Sequence, residues 1–109
     1  MTSAAKIAEL NDQFRKRGIG NGRIMVTRSV RELGPQFELA SLLQVRTFDA
    51  FTADNDPHGE HDFGSFELQG REVFWKLDYY DLTLTQGSED PSDSLQTCRV
   101  LTIMLAEDY

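Results

Sequence analysis

Residues 63–80, FGSFELQGREVFWKLDYY, alternate apolar and polar side chains on either side of Gln69-Gly70. Alternation with a period of two marks strands with one buried face, and a two-residue turn containing glycine joins such strands most tightly. The segment predicts a β-hairpin with Phe66 opposite Val73 and Gly64 opposite Trp75. On the second strand Val73, Trp75, Leu77 and Tyr79 share one face and read as core. Phe74, Lys76, Asp78 and Tyr80 share the other, which is half polar and so only partly covered.

The rest of the chain supplies what this hairpin packs against. SAAKIAELNDQFRKR, residues 3–17, places Ile7, Leu10 and Phe14 on one helical stripe, and Gly18 can end the helix. The glycine-rich GIGNG that follows comes after a helix and before a strand, the reverse of a phosphate-binding loop, so it reads as cap and turn. RIMVTRSV, residues 23–30, reads as a strand with Ile24 and Val26 on one face, joined by Arg28 if the strand runs that far. Pro35 suits the first turn of a second helix, in which Phe37, Leu39, Leu42 and Leu43 follow helical spacing. That helix should end near Phe48. Residues 81–96 form a long connection with strong turn chemistry at Gly87–Pro91. TCRVLTIMLA, residues 97–106, is apolar on both faces and β-branched, which fits a central strand; a helix starting near Ser92 is the rival reading. With 109 residues the chain is one domain, 1–109. The expected fold is α+β, in the order α-β-α-β-β-β, with an antiparallel sheet of about four strands and two helices on one side.

Charge is divided unevenly. Residues 1–48 carry eight Lys/Arg against four Asp/Glu, a balance of +4, and residues 49–109 carry three against fourteen, a balance of −11. The acidic half repels phosphates, which argues against direct nucleic-acid binding, and such asymmetry suits a basic protein partner. Arg15, Lys16 and Arg17, with Arg23, Arg28 and Arg31, read as a solvated helix end or an anion patch. No apolar run is long enough to span a bilayer, and MTSAAKIAEL lacks the apolar core of a secretory signal. The single cysteine, Cys98, permits no internal disulfide. A cytoplasmic protein without membrane contact is expected.

DNDPHGEHDFG, residues 54–64, concentrates the chemistry: Asp54, Asp56, His58, Glu60, His61 and Asp62 could bind a metal or move a proton. His58, His61 and a carboxylate such as Asp62 would make a two-histidine, one-carboxylate metal set, although HExxH and its relatives are absent. A divalent metal there, with Glu60 as base, would make the chain a metal-dependent hydrolase. His61 beside Glu60 and Asp62 could instead be a general base, with Ser65, Ser88 or Cys98 as nucleophile, but no catalytic motif supports them. As structure, Asn55, Asp56, Pro57 and Gly59 are turn formers, and His61 and Asp62 could anchor the loop to Tyr79 or Tyr80. Trp75 reads as core and Tyr80 as a surface aromatic suited to recognition. Glu89, Asp90 and Asp93, with Asp54, Asp56, Asp78 and Asp81, would form an acidic face.

The strings DNDPHGEHDFG, VFWKLDYYD, GSEDP and RVLTIMLAEDY resemble those of a small bacterial family catalogued as a domain of unknown function. Its members are short and often plasmid-borne or found beside mobile elements. The resemblance runs from about Ile7 to Tyr109. It implies no activity, cofactor or catalytic residue, and it suggests a role in plasmid or phage biology such as regulation or countering host defence. The expectation is a non-enzymatic protein with no cofactor that binds a basic, nucleic-acid-handling protein through Asp54, Asp56, His58, Glu60, His61, Asp62, Tyr80, Glu89, Asp90 and Asp93. A homo-oligomer formed through a free sheet edge is a further expectation.

Overall fold

The computed structural model describes residues 3–109. They form helices α1 (Ser3–Arg17), α2 (Arg28–Glu32) and α3 (Pro35–Thr47) and strands β1 (Gly22–Val26), β2 (Phe63–Leu68), β3 (Arg71–Tyr80) and β4 (Cys98–Leu105). A 3-10 turn, Ala106–Asp108, closes the chain. The architecture is α+β, with the sheet order β1-β4-β3-β2.

The hairpin forms in the predicted register, with Phe66 opposite Val73 and Gly64 opposite Trp75. Gln69 (φ 52°) and Gly70 (φ 77°) both take the left-handed conformation that the tightest hairpin turns require. At Gly64 a side chain would collide with the indole of Trp75 and the ring of Phe48, so glycine here lets the core close onto the strand.

The sheet is mixed, which corrects the antiparallel expectation. β3 and β4 are antiparallel, with Trp75 opposite Ile103, but β1 and β4 are parallel, with Gly22 opposite Arg99 and Val26 opposite Ile103. The reason lies in the connection: two helices and the hairpin intervene between β1 and β4, and a crossover of that length permits parallel pairing.

A third helix is a second correction. The predicted strand at 23–30 stops at Val26, and Arg28 begins α2 instead of extending a strand face. Asp108 in the closing turn explains the break. Its carboxylate accepts hydrogen bonds from Thr27 Oγ1, Ser29 Oγ and the Leu105 N–H, pinning the chain where strand gives way to helix. Val30, β-branched but fully buried on α2, shows tertiary packing overriding local propensity.

The core lies between the helices and one sheet face. Val73, Trp75, Leu77, Leu101, Ile103 and Leu105 meet Phe14 of α1, Val30 of α2 and Phe37 and Val45 of α3. α3 buries Phe37, Ser41 and Val45, while Leu39 and Leu43 of the expected apolar stripe stay exposed. Among the described residues no α-helix lies on the opposite sheet face. Phe74, Lys76, Asp78 and Tyr80 are half-buried there, and Tyr109 packs edge-on against Phe63 and Phe74. β4 is the central strand, buried on its helix-facing side and partly covered on the other. None of the described helices is long and apolar enough to cross a membrane.

Candidate functional site

The loop 48–62 folds inward under α1 rather than out into solvent. Asp56 organises it: its Oδ1 accepts the backbone N–H groups of Glu60 and His61, both at 3.1 Å. Gly59 (φ 68°) and His61 (φ 56°) take left-handed conformations that turn the chain back. For His61 this geometry costs about 1–2 kcal/mol, so the contacts it creates must offset that strain.

Those contacts are with α1. His61 Nδ1 lies 2.9 Å and 3.1 Å from the two carboxylate oxygens of Asp12, and its ring stacks on Phe51 at 4.0 Å. Its Nε2 faces Asp56 Oδ2 at 3.7 Å. Asp12 also accepts from Arg15 Nη2 at 3.1 Å. Arg15 is not a solvated helix end, as the basic run suggested. It is 1% exposed, with its guanidinium over Trp75 and Phe51, and its Nη1 donates to the Val45 carbonyl at 2.6 Å. A cation on one of the last carbonyls of α3, which also accepts the Phe48 N–H, suits the helix dipole.

Asn11 is the hub. It is fully buried, with both N–H donors and its amide oxygen engaged. Its Nδ2 donates to the Glu60 carbonyl (2.9 Å) and to Tyr79 Oη (2.8 Å), and its Oδ1 accepts from Arg99 Nε (2.6 Å). The Tyr79 hydroxyl donates in turn to Glu60 Oε1 at 3.0 Å. Arg99 donates through Nη2 to the Pro91 carbonyl. The loop 54–64 and the loop 89–93, separate in sequence, are thus joined by one buried relay. Burial and the neighbouring carboxylates of Glu60 and Asp62 push the Tyr79 phenol far above its ordinary range. Burial likewise raises Asp62, with Glu60 adding to the effect.

The predicted site residues divide into three groups. Asp56, Glu60 and His61 come together in the network, and Asp56 is therefore buried rather than part of an exposed acidic face. Asp54 and His58 are exposed, and Asp62 is half-buried, contributing its carbonyl to the Leu77 N–H. Tyr80 lies on the uncovered sheet face, where it lines a cleft with Arg23, Met25, Leu84 and Val100. Glu89 is exposed. Asp90 accepts from Ser92, and Asp93 accepts from the Leu95 N–H and Gln96 Nε2, so both fold their own loop.

Asn11, Asp12 and Arg99 belong to the site although sequence reasoning passed over them, and so does Arg15, which the basic run assigned to a solvated helix end or an anion patch. A signal existed: Asn11 follows Ile7 by four residues and precedes Phe14 by three, so it sits on the buried stripe, and Arg15 follows it by four. Polar groups on such a stripe need partners.

The chemistry available is limited. Asp12 orients His61 as a carboxylate orients a catalytic histidine. The other ring nitrogen, however, faces a buried carboxylate, and neither Ser65, Ser88 nor Cys98 touches the imidazole. Ser88 bonds Thr97 instead, and Cys98 is buried on β4. Among the described residues no three His, Cys, Asp or Glu side chains form a group able to hold a metal ion, so His58, His61 and Asp62 do not converge. The positive φ of His61 takes its ring to Asp12, while His58 remains exposed. A groove of about 630 Å3 beside His61 is lined by Ala5, Ala8, Glu9, Asp12 and Lys16 among others.

No curated protein and no solved structure matches the chain. A family model does, over residues 26–108, a span that holds both nominated loops and leaves Asn11, Asp12 and Arg15 outside it. That match covers most of the chain, which therefore belongs to the family described as "Protein of unknown function (DUF3768)".

Proposed function

We propose that the chain is a small cytoplasmic binding protein that regulates or inhibits a basic, nucleic-acid-handling protein, without contacting nucleic acid or membrane itself. The observation that carries this reading is the acidic 81–93 segment beside an uncovered sheet face. Tyr80, Met25 and Val100 offer apolar surface there, and Leu84 joins them from the acidic segment. In that segment Glu89 and Asp90 are exposed and Asp81 and Asp93 are partly exposed. The Thr85 N–H and neighbouring hydroxyls hold Asp81 below the usual carboxylate range, and hydrogen bonds from Gln96 and the Leu95 N–H do the same for Asp93. A surface combining aromatic contact with a negative rim suits a protein whose own ligand is a polyanion.

The test is affinity for purified basic nucleic-acid-binding proteins, titrated across salt, for the wild type and for E89K/D90K/D93K. Binding that weakens with salt and is lost on charge reversal is expected. Salt-independent binding, or binding indifferent to the reversal, would sink the reading.

A further inference from the structure

β1 is an edge strand: among the described residues no strand pairs with its outer side. The Thr27 N–H donates to the Ile103 carbonyl and the Arg99 N–H to the Asn21 carbonyl, so the odd-numbered residues turn their backbone groups towards β4. Alternation leaves the N–H and C=O groups of Gly22, Ile24 and Val26 facing outward, without a partner among the described residues. Native edges are usually blunted by proline, lysine, a bulge or a covering element. The sequence GRIMV has no proline or lysine, and its first four residues are exposed.

The surroundings of this edge are apolar. Ile24 is 40% exposed, Met25 50%, Leu39 59% and Leu43 56%. Ile24 and Leu39 line one cleft together with Pro35 and Leu42. The edge is also self-complementary. A two-fold axis through Ile24 sets Ile24 against its own copy and Gly22 against Val26, which are the residues with free backbone groups. It sets Arg23 against Met25, so no like charges stand directly opposite.

Charge favours the same occupant. The chain carries −7 overall, yet Arg28 is paired with Glu32 at 2.9 Å and Arg31 with Glu38 at 3.5 Å, and the strongly acidic segments lie in residues 49–109. Two copies repel least on this flank. A standard interface takes roughly 800 Å2 per partner, about an eighth of the 6541 Å2 surface of this molecule. The exposed Ile24, Met25 and Leu39 would form the centre of such a patch.

We propose that two copies of the chain pair antiparallel through β1, extending the sheet across the two-fold axis, with Leu39 and Leu43 of each copy closing over the join. This rests on the edge and its flank, and it shares only Arg23 and Met25 with the surface proposed above for a partner.

Sedimentation equilibrium of the full chain tests it. The expected species has twice the 12.4 kDa mass of one chain. In Ile24→Lys and Leu39→Glu, each with a native circular dichroism spectrum, the dimer should dissociate at least tenfold more readily. A wild-type chain that stays monomeric at about 1 mM, or folded variants that dimerise as the wild type does, would overturn the proposal. If Ile24→Lys fails to fold, Leu39→Glu decides alone, since its side chain already faces solvent.

Discussion

The two long connections of this molecule, 48–62 and 81–97, are alike in composition and opposite in use. Both are acidic and rich in turn formers. The first turns its polar groups inward: Asp56 binds the loop backbone, Glu60 accepts from the Tyr79 hydroxyl and His61 reaches Asp12 on α1. The second turns its carboxylates onto its own exposed turns, where Asp81, Asp90 and Asp93 accept local hydrogen bonds and keep their charge at the surface. The difference is whether an element lies over the loop. α1 covers the first with Asn11 and Asp12, so its acids serve the fold. The second meets the interior chiefly through Thr97 and the Pro91 carbonyl, so its acids remain available to a partner.

Substitutions can break this contrast, and the largest effect should come from the hub. Asn11→Leu leaves the buried Arg99 without its Nε acceptor and Tyr79 without a donor. It should cost about 3–5 kcal/mol, the range for stranding a buried charge, read as a fall in the urea midpoint. A loss below about 1 kcal/mol would mean that the network re-pairs through water and that the inward loop is not held from α1.

His61→Ala should cost less, about 1–2 kcal/mol, for one charge-assisted hydrogen bond and one ring stack. Limited proteolysis should then open the chain within 50–62 and not within 81–97. Cleavage of the second loop first would erase the distinction.

Asp62→Asn should act in the opposite direction. Burial and Glu60 raise the Asp62 carboxyl above its unfolded value, so its stabilising, protonated form is fully present only below the ordinary aspartate range. That stability is lost as pH rises through the folded value. At neutral pH the ionised side chain is therefore a cost. The amide should raise the melting midpoint by an amount worth under about 1 kcal/mol, since solvent screens a half-buried group. The gain should vanish in melts at pH below about 3.8, the ordinary aspartate value.

E89K/D90K/D93K should move the melting midpoint least of all while abolishing salt-sensitive binding. A large stability loss with binding retained would make the second loop another structural element.

Much of this was legible in the sequence, and the failures have physical causes. The hairpin register, α1 and the central place of β4 followed from local patterns that burial reinforces. The parallel pairing of β1 did not, because strand direction depends on a partner some seventy residues away and no local pattern encodes it. Val30 looked like strand because β-branching was weighed without Asp108, which arrives from the far end of the chain. At the site, the loop's acids are visible as a cluster, but their inward turn depends on Asn11 and Asp12, to which the helical pattern assigns no role. Arg15 was misread for the same reason: a basic triplet at a helix end normally faces water, and here one member of three is in the core.

The parallel pairing of β1 with β4 also sets a timetable. As the chain leaves the ribosome, β1 and Asn11 emerge early, yet the strand that receives β1 and the arginine that Asn11 accepts from come 77 and 88 residues later. Until then the exposed GRIMV lacks its one strand neighbour, β4, and α1 carries unmatched polar groups. Folding must therefore wait for nearly the whole polypeptide and close its longest loops last, which places it among the slower small domains. A nascent or truncated chain ending before Cys98 would carry both β1 edges bare, and it is this intermediate, rather than the finished protein, that would be most prone to aggregate.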